Sequence, residues 1–327
     1  MVERLVANEK VEGSTPFARS KYMFNIATNF FQKYVINQDI RKFKKNLFYY
    51  LFFRLVRSSL NSKIRIKIYN LFILVSNNKN HMSFSLLRKC DFEDQKELDL
   101  LKQISEKTQI FFFDCGSNFG FYSLYVASLN QNNKILAFEA SQKTLNEFEE
   151  NILINKFHSI QVKNLAVSNV AENKLNFYES EKDWESSLDK TNFYKSHKSI
   201  VLTTTLDKVS ENIIFTDFSV IIKIDVEGHE MNVIEGSLNL IKKFSPLIII
   251  EFSKFISKNE YYNYLYLKDF MTKYNYVIYD AEYNKISLDI VLDRLNKLPS
   301  NMYGIGNNFL VKENSKLEEI IINVRST

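Results

Sequence analysis

In the first part of the chain apolar residues recur at spacings of three and four among Lys and Arg, as in Phe48, Leu51, Phe52 and Leu55. Neither Gly nor Pro interrupts the stretch from about Tyr22 to Asn77, so it is expected to be helical. From Gln109 onward the pattern changes: short β-rich runs alternate with helical ones, as parallel strands joined by crossover helices do. Strands are expected at Ile110–Asp114, Lys134–Glu139, Ile160–Ala166, Val220–Asp225, Pro246–Glu251, Tyr276–Tyr279 and Asn308–Val311. Helices are expected at Phe121–Leu129, Gln142–Asn155, Glu230–Phe244 and Tyr261–Tyr274. Two more strand-like runs, Lys174–Glu179 and Ser199–Thr203, flank the polar stretch Ser180–Lys198, which reads as a loop on the rim of the sheet. No internal repeat is visible. The fold class is therefore α/β, a doubly wound sheet preceded by an N-terminal helical segment.

Composition adds bounds. A chain of 327 residues has room for one large domain and an appendage. With 45% hydrophobic and 25% charged residues it matches neither a disordered nor a fibrous chain. The net charge of +5 is unevenly spread: residues 1–89 hold 17 Lys+Arg against 4 Asp+Glu, or +13, which leaves 26 and 34, or −8, for residues 90–327. Three regions follow: a leader over 1–22, a basic helical segment over 23–89 and the α/β domain over 90–327. The leader does not read as the start of a domain. Glu12-Gly13-Ser14-Thr15-Pro16 can be encoded by a stretch containing the GTTCGA core of a tRNA T-arm, which would place the true start nearer Met23. An ordinary disordered leader is the other reading. The basic segment fits helices packed on the following domain with a solvated face, or an amphipathic surface lying on an anionic membrane. The longest apolar runs, such as Leu47–Phe53, fall well short of the ~20 residues that span a bilayer, and no secretory signal is visible. The two cysteines are Cys90 and Cys115, and a disulfide at Cys115 would obstruct the loop described next. A reducing, cytoplasmic setting is expected. Abundant Lys, Asn, Ile and Phe fit an AT-rich bacterial genome.

Two of only seven glycines, Gly116 and Gly120, bracket the turn after the first strand of the domain, Asp114-Cys115-Gly116-Ser117-Asn118-Phe119-Gly120. In a doubly wound sheet the backbone meets a nucleotide-like ligand at this turn, and glycine permits both positive φ and close approach. The spacing is G-x-x-x-G rather than G-x-G-x-x-G, which disfavours a nicotinamide dinucleotide. Asp114 is placed to accept a hydrogen bond from a ligand amino group, and Asn118 offers both donor and acceptor. Glu139, ending the second strand some 20 residues later, is placed to bind both ribose hydroxyls. Ala140 and Ala166, at the ends of the second and third expected strands, complete the cofactor-binding set.

A second constellation, Lys223-Ile224-Asp225-Val226-Glu227-Gly228-His229-Glu230, follows the apolar run Val220-Ile221-Ile222. Alternation puts Lys223 and Asp225 on one side of a strand, and Gly228 lets the chain turn into a helix. So many ionisable groups at a central strand's end point to a site, because charges are rarely buried without partners. Asp225 is the first candidate for a base or orienting group and also for cofactor contact. His229 and Glu227 stand behind it, with Lys223 fixing a carboxylate or a developing alkoxide. A structural Lys–carboxylate network is the plainer reading of Lys223 and Glu230. A divalent ion among Asp225, Glu227 and Glu230 is conceivable because hard cations take oxygen ligands, though nothing requires one. Ser186, Ser187 and Trp184 on the rim loop could touch an acceptor, while His81, His158 and His197 have no metal-ligand spacing.

Together these motifs resemble the FkbM-type methyltransferases, whose pattern is D-x-G-x-N-x-G, F-E-[PA], T-L-D, K-x-D-[VI]-E-G-x-E and a closing strand ending in Glu. The matching residues are Asp114–Gly120, Phe138-Glu139-Ala140, Thr205-Leu206-Asp207, Lys223–Glu230 and Pro246 through Glu251, over about residues 109–255. Ala140 stands where Pro is common and His229 where a small residue is usual. The resemblance implies a class I, Rossmann-like methyltransferase sheet, mostly parallel with an antiparallel last strand. It implies S-adenosylmethionine as methyl donor and a hydroxyl of a sugar, polysaccharide or glycosylated metabolite as acceptor. Two other functions remain to be weighed. A nucleic-acid methyltransferase would suit the basic N-terminal part, but Asp225-Val226-Glu227-Gly228 is an acidic turn poorly suited to a nucleic-acid channel, so no nucleic-acid partner is expected. A non-catalytic scaffold would not need Asp114, Gly116, Asn118, Gly120 and Glu139 together. The acceptor's identity and the oligomeric state are not legible.

Overall fold

The computed structural model describes residues 38–44, 64–75, 81–180, 196–253, 260–299 and 304–325. The leader, most of the basic segment, and Trp184, Ser186 and Ser187 of the rim loop lie outside these. The chain divides into two compact units, the smaller holding the described residues 38–44, 64–75 and 83–91, the larger residues 81–82 and those from Phe92 onward.

The smaller unit corrects the expectation of continuous helix up to Asn77. Strands β1 (Ile64–Ile68) and β2 (Leu71–Val75) form an antiparallel hairpin in which Ile68 faces Leu71. The reason is visible in Ile64-Arg65-Ile66-Lys67-Ile68, where apolar and basic residues alternate with the period of a strand, and β-branched side chains favour it. Tyr69 and Asn70 both take positive φ, 50° and 66°, as a two-residue hairpin turn requires. Ile66, Ile68, Leu71 and Ile73 are fully buried on one side. Asp91 accepts from the Tyr69 hydroxyl at 2.9 Å and pairs with Lys44 at 2.7 Å.

The larger unit adds strands β3 (Gln109–Cys115), β4 (Lys134–Phe138), β5 (Ile160–Lys163), β6 (Ala166–Val167), β7 (Lys174–Ser180), β8 (Ser196–Thr204), β9 (Phe218–Ile224), β10 (Leu247–Ser253), β11 (Tyr276–Tyr279), β12 (Lys285–Ile286) and β13 (Gly304–Lys312). Eight of them form one sheet in the order β12-β11-β13-β10-β9-β3-β4-β5. Strands β5, β4, β3, β9 and β10 run parallel, while β13 is antiparallel to both of its neighbours. The strand order reverses beside β3, so the carboxyl ends of β3 and β9 open on the crevice where ligands of such sheets bind.

The two faces of this sheet differ. One carries Phe113, Ile222, Ile224, Ile248, Ile250 and Leu310, which share a core with Leu206, Val233, Ile241, Leu267 and Phe270 from the covering helices. The opposite face is covered by helices Gln95–Ser105, Phe121–Leu129 and Lys316–Arg325, which pack on one another and on β3 and β13. Each fully buried Ile, Leu or Phe contributes about 1.5–3 kcal/mol.

Two expected elements are divided. The strand expected through Ala166 ends at Lys163, where the Asn164 amide turns away to the carbonyls of Glu139 and Ala140, and Ala166 instead pairs with Thr203 of β8. The helix expected over Glu230–Phe244 breaks into Glu230–Glu235 and Leu238–Phe244. A Cβ on Gly236 would lie 2.1 Å from the carbonyl oxygen of Ser168, so the chain passes too close there for a regular helix with side chains. Asp207 caps the second piece, accepting from the backbone of Asn239 and Leu240 while Leu206 is fully buried. Thr205-Leu206-Asp207 is thus a structural fastening. Among the described residues no helix is long and apolar enough to cross a membrane.

Candidate functional site

The loop after β3 is held from four sides. Gly116 and Gly120 take positive φ, 82° and 87°, as expected, but the space each leaves open is filled by protein. A Cβ on Gly116 would meet the Asp225 carbonyl oxygen at 1.8 Å, and one on Gly120 the Phe148 ring at 2.0 Å. The amides of Gly116 and Ser117 both donate to the Phe138 carbonyl at 3.0 Å, which anchors the loop to the end of β4. Glu139 continues that anchor, its carboxylate accepting from Asn118 N and from Ser141 N, each at 2.8 Å. Asn118, at φ 50°, accepts from Phe119 N at 2.8 Å and so stabilises its own left-handed turn. Asp114 lies beneath the loop, 2% exposed, and takes the Ser123 hydroxyl at 2.5 Å. Burial pushes its pKa up to about 6 against that bond and the charge of Lys223. Ala166 is buried with Phe177 and Val201, and Ala140 packs against the same small cluster.

The Lys223–Glu230 run forms the other wall. Lys223 is 1% exposed, its ammonium 3.0 Å from Asp225 Oδ2 and 5.3 Å from the centre of the Tyr122 ring. Burial alone would lower its pKa, but Asp225, Glu251 and Asp94 hold it above the usual lysine value. The amide of Gly228, at φ 104°, donates to Glu230 Oε1 at 2.9 Å. Burial raises the Glu230 pKa to about 7. Glu227 is half-buried at φ 54°, and its carboxyl is pushed well up by burial and the neighbouring carboxylates. Half-buried His229 places its Nε2 2.9 Å from Ser168 Oγ. Ser168 Oγ donates to Asn169 Oδ1 at 3.2 Å, and the Asn169 amide donates to Glu235 at 2.8 Å. The Ser168 hydroxyl thus lies between His229 Nε2 and Asn169 Oδ1, and the imidazole tautomer sets which way the His229–Ser168 bond runs. Among the described residues no group of three His, Cys, Asp or Glu is arranged to hold a metal ion.

Strand register and the covering helices bring further residues beside those the motifs singled out. Asp114 pairs with Lys223 across β3 and β9, and Glu251 with Asn307 across β10 and β13, all on the face covered by helices Gln95–Ser105 and Phe121–Leu129. From those helices come Tyr122, whose hydroxyl donates to Asp94 at 2.8 Å, and Glu97, raised by burial and Asp94 to about 7. Asn307 donates to the Tyr122 hydroxyl at 3.4 Å. Glu251, beside a register shift in β10, is pushed to about 8 by burial and the charge of Asp225. A Cβ on Gly304 would come 2.6 Å from its Oε1, so that glycine leaves room for the carboxyl. Tyr122, two residues past the glycine loop, and Asn307, a polar residue at the start of an apolar run, were the available signals. Three buried oxygens along this edge have no hydrogen-bond partner among the described residues: Ser117 Oγ, Glu230 Oε2 and Asn307 Oδ1.

A sheet in this order, with a glycine turn after β3 and an acid ending the next strand, is that of the class I methyltransferases. The family model for the methyltransferase FkbM domain matches residues 114–278, and the chain belongs to that family. No curated protein matches. The methyltransferase FkbM from Methylobacillus flagellatus KT is similar in structure, with 14% identity over 89% of this chain and a TM-score of 0.38. This chain spans 60% of that protein's length. P. horikoshii TYW2, solved with MeSAdo, has 12% identity over 77% of this chain and 73% of its own, with a TM-score of 0.39. The precorrin-6y C5,15-methyltransferase from Geobacter metallireducens GS-15 has 10% identity over 67% and 87%, with a TM-score of 0.36.

Proposed function

We propose that the protein transfers a methyl group from S-adenosylmethionine to a hydroxyl of a sugar, polysaccharide or glycosylated metabolite. The observation that carries this reading is the row of buried polar groups along the edge of β3, β9, β10 and β13, with three oxygens there awaiting donors. Buried oxygens are rarely left without partners, so a ligand rich in hydrogen-bond donors belongs at this edge. When bound, S-adenosylmethionine supplies a methyl group on a positively charged sulfur that departs as a neutral thioether. The residues suited to hold it are Asp114 and the Gly116–Gly120 loop, with Asn118 and Ser117 at its turn. Glu139, already fixed by two amides, retains lone pairs for ribose hydroxyls, and Ala140 and Ala166 border it.

The chain's own contribution is positioning and proton removal. Asp225 is paired to a buried ammonium, and protonating it would leave Lys223 without its ion-pair partner, so its role is to orient the acceptor hydroxyl. His229, whose ring lies 2.9 Å from Ser168 Oγ, is then the candidate base that receives the hydroxyl proton as the new O–C bond forms, with Glu227 beside it. Lys223 and Glu227 set the charge around that hydroxyl. Calorimetric titration with S-adenosylhomocysteine tests the first half of the reading. Saturable binding is expected, weakened about tenfold or more in Glu139→Ala by loss of charge-assisted hydrogen bonds. Absence of binding to the wild-type chain overturns it.

A further inference from the structure

Hydrogen-bond acceptors crowd the edge of β9, β10 and β13. Asp225, Glu251 and Asn307 lie there on one face of the sheet, with Asp94 reached through the Tyr122 hydroxyl and Glu230 buried in the turn after β9. Lys223, the cation among them, is already committed to Asp225. Two of the acceptors are more than nine-tenths buried and lack a donor among the described residues, Glu230 Oε2 and Asn307 Oδ1. Glu230 sits close enough to Asp225 and Lys223 to feel both charges, and Asn307 is the cross-strand partner of Glu251, so both oxygens belong to this cluster. The carboxyls of Glu251, Glu227 and Glu230 are raised chiefly by burial and also by one another's charge or that of Asp225. An anionic ligand would add to that repulsion. A neutral polyol would satisfy the bare oxygens and leave the repulsion in place. A ligand bearing both hydroxyls and an ammonium group relieves both, since a nearby cation favours the charged carboxylate.

Resting on the methyltransferase reading, we propose that the acceptor is a polyhydroxylated amine, an amino sugar or aminocyclitol, whose ammonium group is received between Glu251 and Asn307 while a neighbouring hydroxyl is methylated. The amine selects the substrate and the hydroxyl reacts. Calorimetry on the full chain at neutral pH, with and without saturating S-adenosylhomocysteine, tests this with glucosamine, glucose and glucuronate as probes. Glucosamine is expected to bind at least about tenfold more tightly than glucose, the discrimination that one buried charged contact supplies, and glucuronate least of all. Its binding should also release protons, read as an enthalpy that changes with the ionisation heat of the buffer, because the raised carboxyls ionise on meeting the ammonium. Glu251→Gln should abolish the ranking. If that variant does not fold, the three wild-type titrations decide alone. Equal binding of glucose and glucosamine, a preference for glucuronate, or no binding of any of the three overturns the proposal. Failure of S-adenosylhomocysteine to bind would instead overturn the methyltransferase reading, and the sugar ranking on the unliganded chain would still stand as a separate result.

Discussion

His229 occupies the position where a small residue is usual in the family pattern, and its ring joins a series of hydrogen bonds: His229 Nε2 with Ser168, Ser168 with Asn169, Asn169 with Glu235. Ser168 thus acts as a positioning residue that holds the imidazole ring and biases its tautomer. Ser168→Ala is expected to lower kcat about tenfold with little change in the affinity for S-adenosylhomocysteine, as loss of an interaction that acts in the reacting state alone does. Nitrogen chemical shifts of His229 should change in the variant as the tautomer balance shifts. A merely structural serine would leave those shifts where they are. The dependence on Ser168 could not be read from the sequence, because 61 positions separate the two residues and the close passage of Ser168 against Gly236 arises only in the folded chain.

At the scale of elements, that bend is itself a testable contact. Gly236 has an ordinary φ and is needed for lack of a Cβ, which would press to 2.1 Å from the Ser168 carbonyl oxygen, a backbone atom with little freedom to yield. Gly236→Ala is therefore expected to cost about 1–3 kcal/mol, in the range of overpacked interior sites, measured by urea unfolding. The usual gain from Gly→Ala in a helix would be overridden. The same contact explains why helical periodicity over Glu230–Phe244 was legible while the break was not: periodicity reports the buried face, and Val233, Ile234, Leu240 and Ile241 all keep it. The parallel strands were legible for a similar reason, since β3, β9 and β10 are buried on both faces and read as continuous apolar runs. The hairpin at β1 and β2 was missed because its alternation spans five residues per strand inside a longer stretch with helical spacings. Of the candidate site, the two motif runs were legible because consecutive residues carry them. Tyr122, Asp94 and Asn307 were not, since the sheet and its covering helices assemble them from three distant segments.

For the molecule as a whole, the concentration of raised carboxyls in one place makes a prediction about pH. Burial carries Asp114 to about 6, Glu97 and Glu230 to about 7 and Glu251 to about 8. Between the ordinary values near 4 and these raised ones, the folded chain keeps protons that the unfolded chain has released. The stability of the ligand-free protein must then fall as pH rises through this window, because the slope follows protons bound unfolded minus protons bound folded. Their contribution is fully present below about pH 4 and gone above about pH 8. Glu230 alone, shifted from 4.5 to about 7, corresponds to on the order of 3 kcal/mol at about 1.4 kcal/mol per unit. Asp39 and Asp280 are shifted downward, despite burial, by hydrogen bonds and their Arg41 and Arg294 partners, and lose their contribution only at the acid end, outside this window. Urea unfolding at pH 5.5 and 8.5 should show the protein less stable at the higher pH, and Glu230→Gln should flatten the difference. A ligand carrying a cation into the cluster should flatten it too, since it lets the same carboxyls ionise without cost to the fold. Stability that stays level or rises between the two pH values would mean that these carboxyls are already ionised in the free protein, and the proton release expected on binding an amine would then be absent.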